Sequence, residues 1–524
     1  MSKLHNLIFF ALLVGTLATQ GLQSMNPDPA FMQVEQNGRR IVIRPHGFEE
    51  VTTMQKSKDT VNLQWALNNL VDGGSIVAQR GNFHISHPLI ARGFRGALVG
   101  SGIDRTVFTA RGPKNEEGHY VFPDHDEEGR RTVWATGRSN IITFVNTPSK
   151  FQNVQVRQFT MTVEGSGEEL LYFGLPTHNV LGAIMICDSY CGTYNSSLPS
   201  RVEHIDFAAD SIRIYGQDDL LDADGTNLQQ GIIAFGGEEW KRAEPGTSVG
   251  GWDEGNHNPV NINFRVTNSF FSNIWIHACI VEGPLSIPSL TSPLRSTTSF
   301  TFPDPSSFPP SSIVISNNVF DRVAWGSFYE PTTLFASAVL SPSGTSVTWS
   351  GNQFLRMSSY GIVALAGHAM THTPWPLEPN QLTIEYNYFQ SVAPSNPITF
   401  NTAAISIIDL ELVPPTNTPV LFTVIQYNIF ECEVGYSASL VDHVIGIGLA
   451  VVANEFKGRC PSAISLGATN VPGAGYLPAM YDQILFNSFE SFNSTRDPQA
   501  NIVLGPMAST ATINPPTLSA SVTA

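Results

Sequence analysis

In the second half of the chain, short apolar runs rich in Val, Ile, Phe and Tyr recur at near-regular spacing. Each ends on an Asn followed two residues later by a Phe. The pairs are Asn268–Phe270, Asn318–Phe320, Asn352–Phe354, Asn387–Phe389, Asn428–Phe430, Asn454–Phe456 and Asn487–Phe489. Successive Asn residues lie 50, 34, 35, 41, 26 and 33 positions apart. A second apolar run follows each Phe: Ile274–Val281, Val323–Tyr329, Tyr360–Leu365, Ala403–Ile408, Val444–Gly448, Ala463–Leu466 and Asn501–Leu504. Fixed-period repetition of β-forming segments predicts a solenoid. One unit reads as strand, Asn corner, Phe, turn, strand and connection. Stacked units would place parallel strands about 4.8 Å apart, with the Asn residues forming an amide ladder. The Phe residues would stack inside, each contributing roughly 1.5–3 kcal/mol by its burial.

The first half is less regular. Residues 60–71 put Val61, Trp65, Leu67 and Leu70 near one helical face, with Asp59 as N-cap and Gly73-Gly74 as the stop. Glycine-punctuated β segments follow at 75–78, 81–85, 96–102 and 106–109, and again at 140–145 and 154–161. The segment Val202–Phe207 reads as a degenerate copy of the repeat, with Ile205 in the Asn place. The predicted class is all-β, a single parallel β-helix with an N-terminal capping helix. The divisions are a signal peptide over 1–24, an irregular lead-in over 25–58, the β-helix over 59–505 and a disordered tail over 506–524.

The uneven gaps locate insertions at 111–131, 284–310, 370–381, 412–419 and 470–478. Without the 27 residues of 284–310, the first gap falls from 50 to 23, near the shortest one of 26. The last four insertions follow the second strand, so they should emerge on one side of the solenoid. There they either frame a binding surface or cover a sheet face.

Composition narrows the partners. A net charge of −16 with only 14 % charged residues argues against nucleic acid, which needs clustered Lys and Arg. A polyanionic polysaccharide would need a local basic patch or a bridging cation. Lys3 and the 12-residue apolar run 7–18 read as a secretory signal, too short for the roughly 20 residues of a membrane span. No other stretch is long and apolar enough, so a secreted protein with no span after signal cleavage is expected. Of the five Cys, Cys187 and Cys191 could close a small loop and Cys432 and Cys460 could staple neighbouring coils; buried free thiols are the alternative. Asn195 and Asn493 are glycosylation sequons.

The chain resembles the pectate-lyase-like superfamily of right-handed parallel β-helices. The features that carry this are the helix of 59–70, the run from Gly74 to Ile85, the segment Leu98–Gly102 with Thr106–Phe108, and the Asn-x-Phe coils. The resemblance covers roughly residues 40–505 and implies the fold. It leaves the activity open among lyases, hydrolases and epimerases of polysaccharides, tailspikes and adhesins. Gln217-Asp218-Asp219 is similar to the paired-Asp motif of polygalacturonases. That family's Asn-Thr-Asp, Gly-His-Gly and Arg-Ile-Lys partners are absent.

Two acidic groups are candidate chemistry. Asp218, Asp219, Asp222 and Asp224 could ligate Ca²⁺, which takes six to eight oxygens, or form a solvated loop. Glu238, Glu282, Glu330 and Asp409 follow the second strand of their coils, and His368 has a comparable place. Aligned by stacking, they would span two or three layers. They could then raise one another's pKa for general acid work, or share a cation that acidifies the proton beside a uronate carboxylate. The other reading is charge placed in water at strand ends. Arg322 and Arg356 should hold equivalent places in adjacent coils, as an anion clamp or as solvated turns. His277, within a strand, reads as a core or lining residue. Trp240, Trp252 and Trp375 sit in Gly/Pro-rich loops, where an indole can stack on a sugar or anchor the loop. The leading expectation is a secreted enzyme, lyase or hydrolase, of an extracellular polysaccharide. The rival is a non-enzymatic adhesin or glycan-binding β-helix.

Overall fold

The computed structural model describes residues 27–52, 55–114, 120, 122–123, 139–147, 149–164, 170–172, 175–177, 180–187, 189, 203–216, 228–234, 260–274, 277–282, 311–323, 337–340, 346–357, 360–366, 380–390, 403–409, 421–433, 439–468, 470–471, 475–476, 479–495, 501–506, 508, 511–514 and 520–522. They form a parallel β-helix of three long sheets, with 14, 11 and 13 strands. Each coil visits the sheets in the same order. One coil runs through Ser312–Ser316, Val319–Asp321 and Ser337–Leu340, and the next through Ser346–Ser350, Gln353–Leu355 and Ile362–Ala366. Corresponding strands pair in parallel.

The unit thus has three strands where the sequence pattern suggested two. The added one is the short strand that carries the Phe. Its cause is the residue before each ladder Asn. Asn317, Gly351, Tyr386, Tyr427, Ala453 and Phe486 all have φ between 53° and 65°, a left-handed turn that lets the chain resume an extended path at a new angle. Each of these residues donates its N–H to a carbonyl of the next coil: Tyr386 to Gln426, Tyr427 to Val452, Ala453 to Leu485 and Phe486 to Asn514.

The Asn residues form the predicted ladder. Asn352 Oδ1 accepts from Asn318 N and Asn318 Nδ2, both at 3.0 Å. The same double contact repeats from Asn352 to Asn387, Asn428, Asn454 and Asn487. Each Nδ2 also reaches back to a carbonyl, as Asn387 does to Trp349 O at 3.0 Å. Inside, Phe320, Phe354, Phe389, Phe430, Phe456 and Phe489 stack at 4.6–5.0 Å between centroids.

The first repeat is shifted by one residue. Ser269, not Asn268, holds the rung, accepting from Ile212 N and donating its own N–H to Asn318 Oδ1. Phe271, not Phe270, joins the stack, 5.2 Å from Phe320. Asn268 takes the left-handed place instead, with φ 51°. One coil earlier the rung is Ile212, seven residues beyond the expected Ile205. Ile205 and Phe207 lie in the first-sheet strand Glu203–Asp210, where Phe207 stacks on Phe264.

The β-helix also starts earlier and ends later than expected. Within the supposed irregular lead-in, Met32–Glu35 and Arg40–Ile43 form a hairpin, and the second strand pairs in parallel with Gly74–Ala78. Burial of Ile41, Val42 and Ile43 drives this. The capping helix is Lys58–Asn69. Its N-cap is Ser57, whose Oγ accepts from Thr60 N, and its buried face includes Leu63, Ala66 and Leu67. Asp59 sits in the first turn, fully buried, accepting from His46 N at 2.8 Å and His84 N at 2.9 Å. Within the supposed disordered tail, Thr512–Asn514 and Ala520–Val522 add strands to the first and third sheets. They satisfy backbone groups that the last full coil would leave open. Residues 1–24, 284–310, 412–419, most of 370–381 and two thirds of 111–131 lie outside the described residues, and 470–478 contributes a small antiparallel pair, Asn470–Val471 with Gly475–Tyr476.

Cys432 and Cys460 are disulfide-bonded, with Cα atoms 6.0 Å apart, and join two adjacent coils. Cys187 is also disulfide-bonded; Cys191 lies outside the described residues. Cys279 is a buried free thiol. Among the described residues, no helix is long and apolar enough to cross a membrane.

Candidate functional site

Strand ends of the third sheet carried the sequence-based expectation. Glu282 closes the strand His277–Glu282 and Asp409 closes Ala403–Asp409. Register runs from Glu282 to Leu340, Leu365 and Ile408, so Asp409 is three strands away and one residue further on. At about 4.8 Å per strand, that is about 14 Å, wider than one shared cation spans. Glu330 lies outside the described residues, and the third-sheet strand of its coil begins only at Ser337, so Glu330 precedes that strand. Glu238, His368, Trp240, Trp252, Trp375 and the acidic run Asp218, Asp219, Asp222 and Asp224 also lie outside the described residues. Among the described residues, no three His, Cys, Asp or Glu groups gather to hold a metal ion.

Arg322 and Arg356 occupy equivalent left-handed positions, φ 52° and 50°. Both turn to one carboxylate. Arg356 grips Asp321 with Nε at 2.8 Å and with its Nη2, and Arg322 Nε stands 3.6 Å from it. Asp321 is buried, so this cluster ties two coils, with both guanidinium groups drawn to a structural carboxylate. His277 faces the core, fully enclosed, and burial pushes its pKa down to about 3. It is neutral at physiological pH, as a structural residue would be.

A different constellation lies on the outer face of the third sheet. The alternate residues Ile362, Ile405, Val441, Ile464 and Ile502 point into the main core. Their neighbours form a second row, Val363, Ser406, Asp442, Ser465 and Val503, paired in register across five adjacent strands. The row is enclosed: Asp442 and Ser406 are each 1 % exposed and Ser465 is 4 % exposed. Ser406 Oγ has no hydrogen-bond partner among the described residues. Tyr360 joins this side and packs with Val363, Ala403 and Ile408. Burial, and secondarily the Asp442 carboxylate, raises the Tyr360 phenol above its ordinary value, so it stays protonated. The face therefore holds a neutral phenol and, two strands on, a buried carboxylate flanked by two hydroxyls one strand to either side. A phenol can donate a proton or hydrogen bond where the carboxylate accepts one.

These residues escaped the sequence reading because it began the second apolar run of this coil at Val444, whereas the strand covers Ser439–Ile447 and so includes Asp442. The available signal was Asp442-His443 embedded in Val, Leu and Ile. The two side chains diverge by strand alternation. Asp442 faces the outer row, whereas His443 Nδ1 turns to Asp482 at 3.0 Å, both buried.

No protein-family model and no curated protein matches the chain. Solved structures of like fold do. The catalytic unit of a thermostable GH87 α-1,3-glucanase from Streptomyces thermodiastaticus strain HF3-3 aligns over 91 % of this chain and 66 % of its own, at 10 % identity and a TM-score of 0.38. The A-module of the Azotobacter vinelandii mannuronan C-5 epimerase AlgE4 aligns over 86 % and 87 %, at 10 % identity and a TM-score of 0.36. A mannuronic-acid-specific polysaccharide family 6 lyase from human gut microbiota aligns over 93 % and 91 %, at 12 % identity and a TM-score of 0.32. The chain spans just under two thirds of the glucanase unit. At these identities and TM-scores the likeness carries no function, and the parallel β-helix is read from the strand pairing itself.

Proposed function

We propose that the protein is a secreted polysaccharide-active β-helix, with its chemistry on the outer face of the third sheet around Asp442 and Tyr360. The observation that carries this reading is an ionisable pair enclosed on a face the main core does not use. Carboxylates are rarely fully buried unless paired, and a buried one near a second titratable group is a functional-site candidate. In the proposed reaction Asp442 accepts a proton and Tyr360 donates one, as either lyase or hydrolase chemistry requires; both are enclosed, so a sugar unit reaches them only by displacing what covers this face. The Cys432–Cys460 bridge supports an oxidising, extracellular setting. Calcium, held by the run 218–224, would supply charge neutralisation for a uronate substrate.

The test is a panel of neutral and uronic polysaccharides incubated with the purified chain, with and without calcium. Unsaturated products absorbing in the near ultraviolet identify a lyase, and new reducing ends without that absorbance identify a hydrolase. Tyr360→Phe and Asp442→Asn should each lower turnover by about 10²–10⁴-fold while circular dichroism keeps the β signal. Product formation unaffected by both substitutions, or no product across the panel, overturns the reading.

A further inference from the structure

The corner between the first and second sheets carries an exposed aromatic row. It sits across the coil from the third sheet. The left-handed position of successive coils is Gly351, Tyr386, Tyr427, Ala453 and Phe486. Tyr386 is 61 % exposed, Tyr427 48 % and Phe486 68 %, among the most exposed large hydrophobic side chains in the described residues. Here a bulky residue meets two penalties. A left-handed conformation costs an L-residue roughly 1–2 kcal/mol, and an exposed ring gains nothing from the core. Asn317 and Gly351 hold the same corner elsewhere, so the bend does not call for an aromatic. Strained, exposed residues that the fold does not need point to function.

The spacing says what fits. Tyr386 and Tyr427 stack face to face, with centroids 5.2 Å apart and planes 10° from parallel. One rung on, the ring is missing, because Ala453 ends at its Cβ. One further rung on stands Phe486. The positions of Tyr427 and Phe486 are therefore two strand spacings apart, about 9.6 Å. A ring entering at the Ala453 level lies about one spacing from each neighbour, the separation at which Tyr386 and Tyr427 already stack. The gap takes one ring, and a pyranose held flat between Tyr427 and Phe486 has its glycosidic bonds in the ring plane, so an extended sugar chain would cross the row with one unit in the gap.

Charge selects the polymer. The outer faces of these coils carry Glu385, Glu431, Glu455 and Glu490 against Lys457 and Arg459. Lys457 is bound to Glu455 at 3.0 Å. Carboxylates here repel uronate polymers and anionic membranes and accept hydrogen bonds from hydroxyls. We infer that the Tyr427–Ala453–Phe486 corner is a docking slot for a neutral, extended polysaccharide, separate from the third-sheet face.

The experiment is titration calorimetry and affinity electrophoresis with cellohexaose and soluble hydroxyethyl cellulose. Polygalacturonate and phosphatidylcholine vesicles serve as the other arms, and sedimentation checks the oligomeric state. Tyr427→Asn and Phe486→Asn relieve backbone strain, which in Tyr427→Asn offsets the lost stack on Tyr386, so both variants should melt close to wild type and yet bind about tenfold more weakly. Ala453→Tyr fills the vacancy with the residue its neighbours already tolerate, and should block binding to a similar degree. Stronger binding by Ala453→Tyr overturns the slot, since it would mean that aromatic area alone attracts the ligand. Unchanged affinity in the Asn variants, a preference for polygalacturonate or vesicles that the Asn variants weaken, or a loss of self-association in the Asn variants also overturns it.

Discussion

The two halves of the solenoid make the same corner in different ways. From Asn318 to Asn487 the residue after each left-handed position is an Asn, locked by side-chain bonds to the coils above and below. In the N-terminal half the same place holds Phe159 and Ile212, both buried in the core, and then Ser269 at the junction. The backbone does not change. Arg213 N donates to Phe159 O at 3.0 Å just as Val319 N donates to Ser269 O and Gln353 N to Asn318 O. The corner is therefore a property of the main chain, and the rung side chain decides only whether polar bonds or packing hold it. A second difference lies at the ends of the solenoid. Neither half has a titratable rung, and the amide half buries His443 against Asp482 at 3.0 Å. The N-terminal cap buries His84 and His87, whose pKa values desolvation lowers, that of His87 to about 4.

Substitutions can break this comparison in order of effect. Phe354→Ala should cost about 4 kcal/mol by denaturant melting, since it removes a fully buried ring from the middle of the stack. Asn387→Ile transplants the N-terminal solution into the ladder. It deletes the acceptor for Asn352 N and Nδ2 and the donor to Trp349 O and Asn428 Oδ1. With about 1–3 kcal/mol for each buried group left unpaired, the expected cost is about 3 kcal/mol. A loss under about 1 kcal/mol would mean that the two halves are interchangeable after all.

The third effect is one of pH. A histidine with a lowered folded pKa contributes stability above its unfolded value of 6.5, and that stability is lost as pH falls through about 4. Asp59, raised by its burial, acts in the opposite sense. The isolating measurement is therefore the difference between wild type and His87→Gln at pH 7 and at pH 4.5. That difference should shrink by about 2 kcal/mol at the lower pH, with amide-exchange protection falling in residues 74–110 and holding in 346–430. Smallest is Ser269→Ala, which removes a hydroxyl that accepts from Ile212 N and donates to Thr267 O and should cost about 1–2 kcal/mol.

The architecture was legible because its rungs are the rare polar residues that a core tolerates. An Asn every 26 to 50 positions stands out against Val, Ile and Phe, and it sets the coil. What stayed hidden was the backbone torsion one residue earlier, which Asn317, Gly351, Tyr386 and Ala453 share without sharing any chemistry. That is why the second sheet and the one-residue shift at Ser269 were missed. The site was less legible still. Strand-end acids attract notice because they look solvated, whereas Asp442 is hidden inside an apolar strand. Its meaning depends on the register that sets it between Ser406 and Ser465.

The bond between Cys432 and Cys460 has a mechanical consequence. A solenoid whose coils touch only their neighbours can be peeled from an end, one turn at a time. Force applied to the C-terminus would first strip the short strands Ala520–Val522 and Thr512–Asn514, then the coil of Asn487. The peel would arrive next at a covalent link between the coils of Phe430 and Phe456. Extension should stall there, at a contour length that grows only when the bridge is reduced.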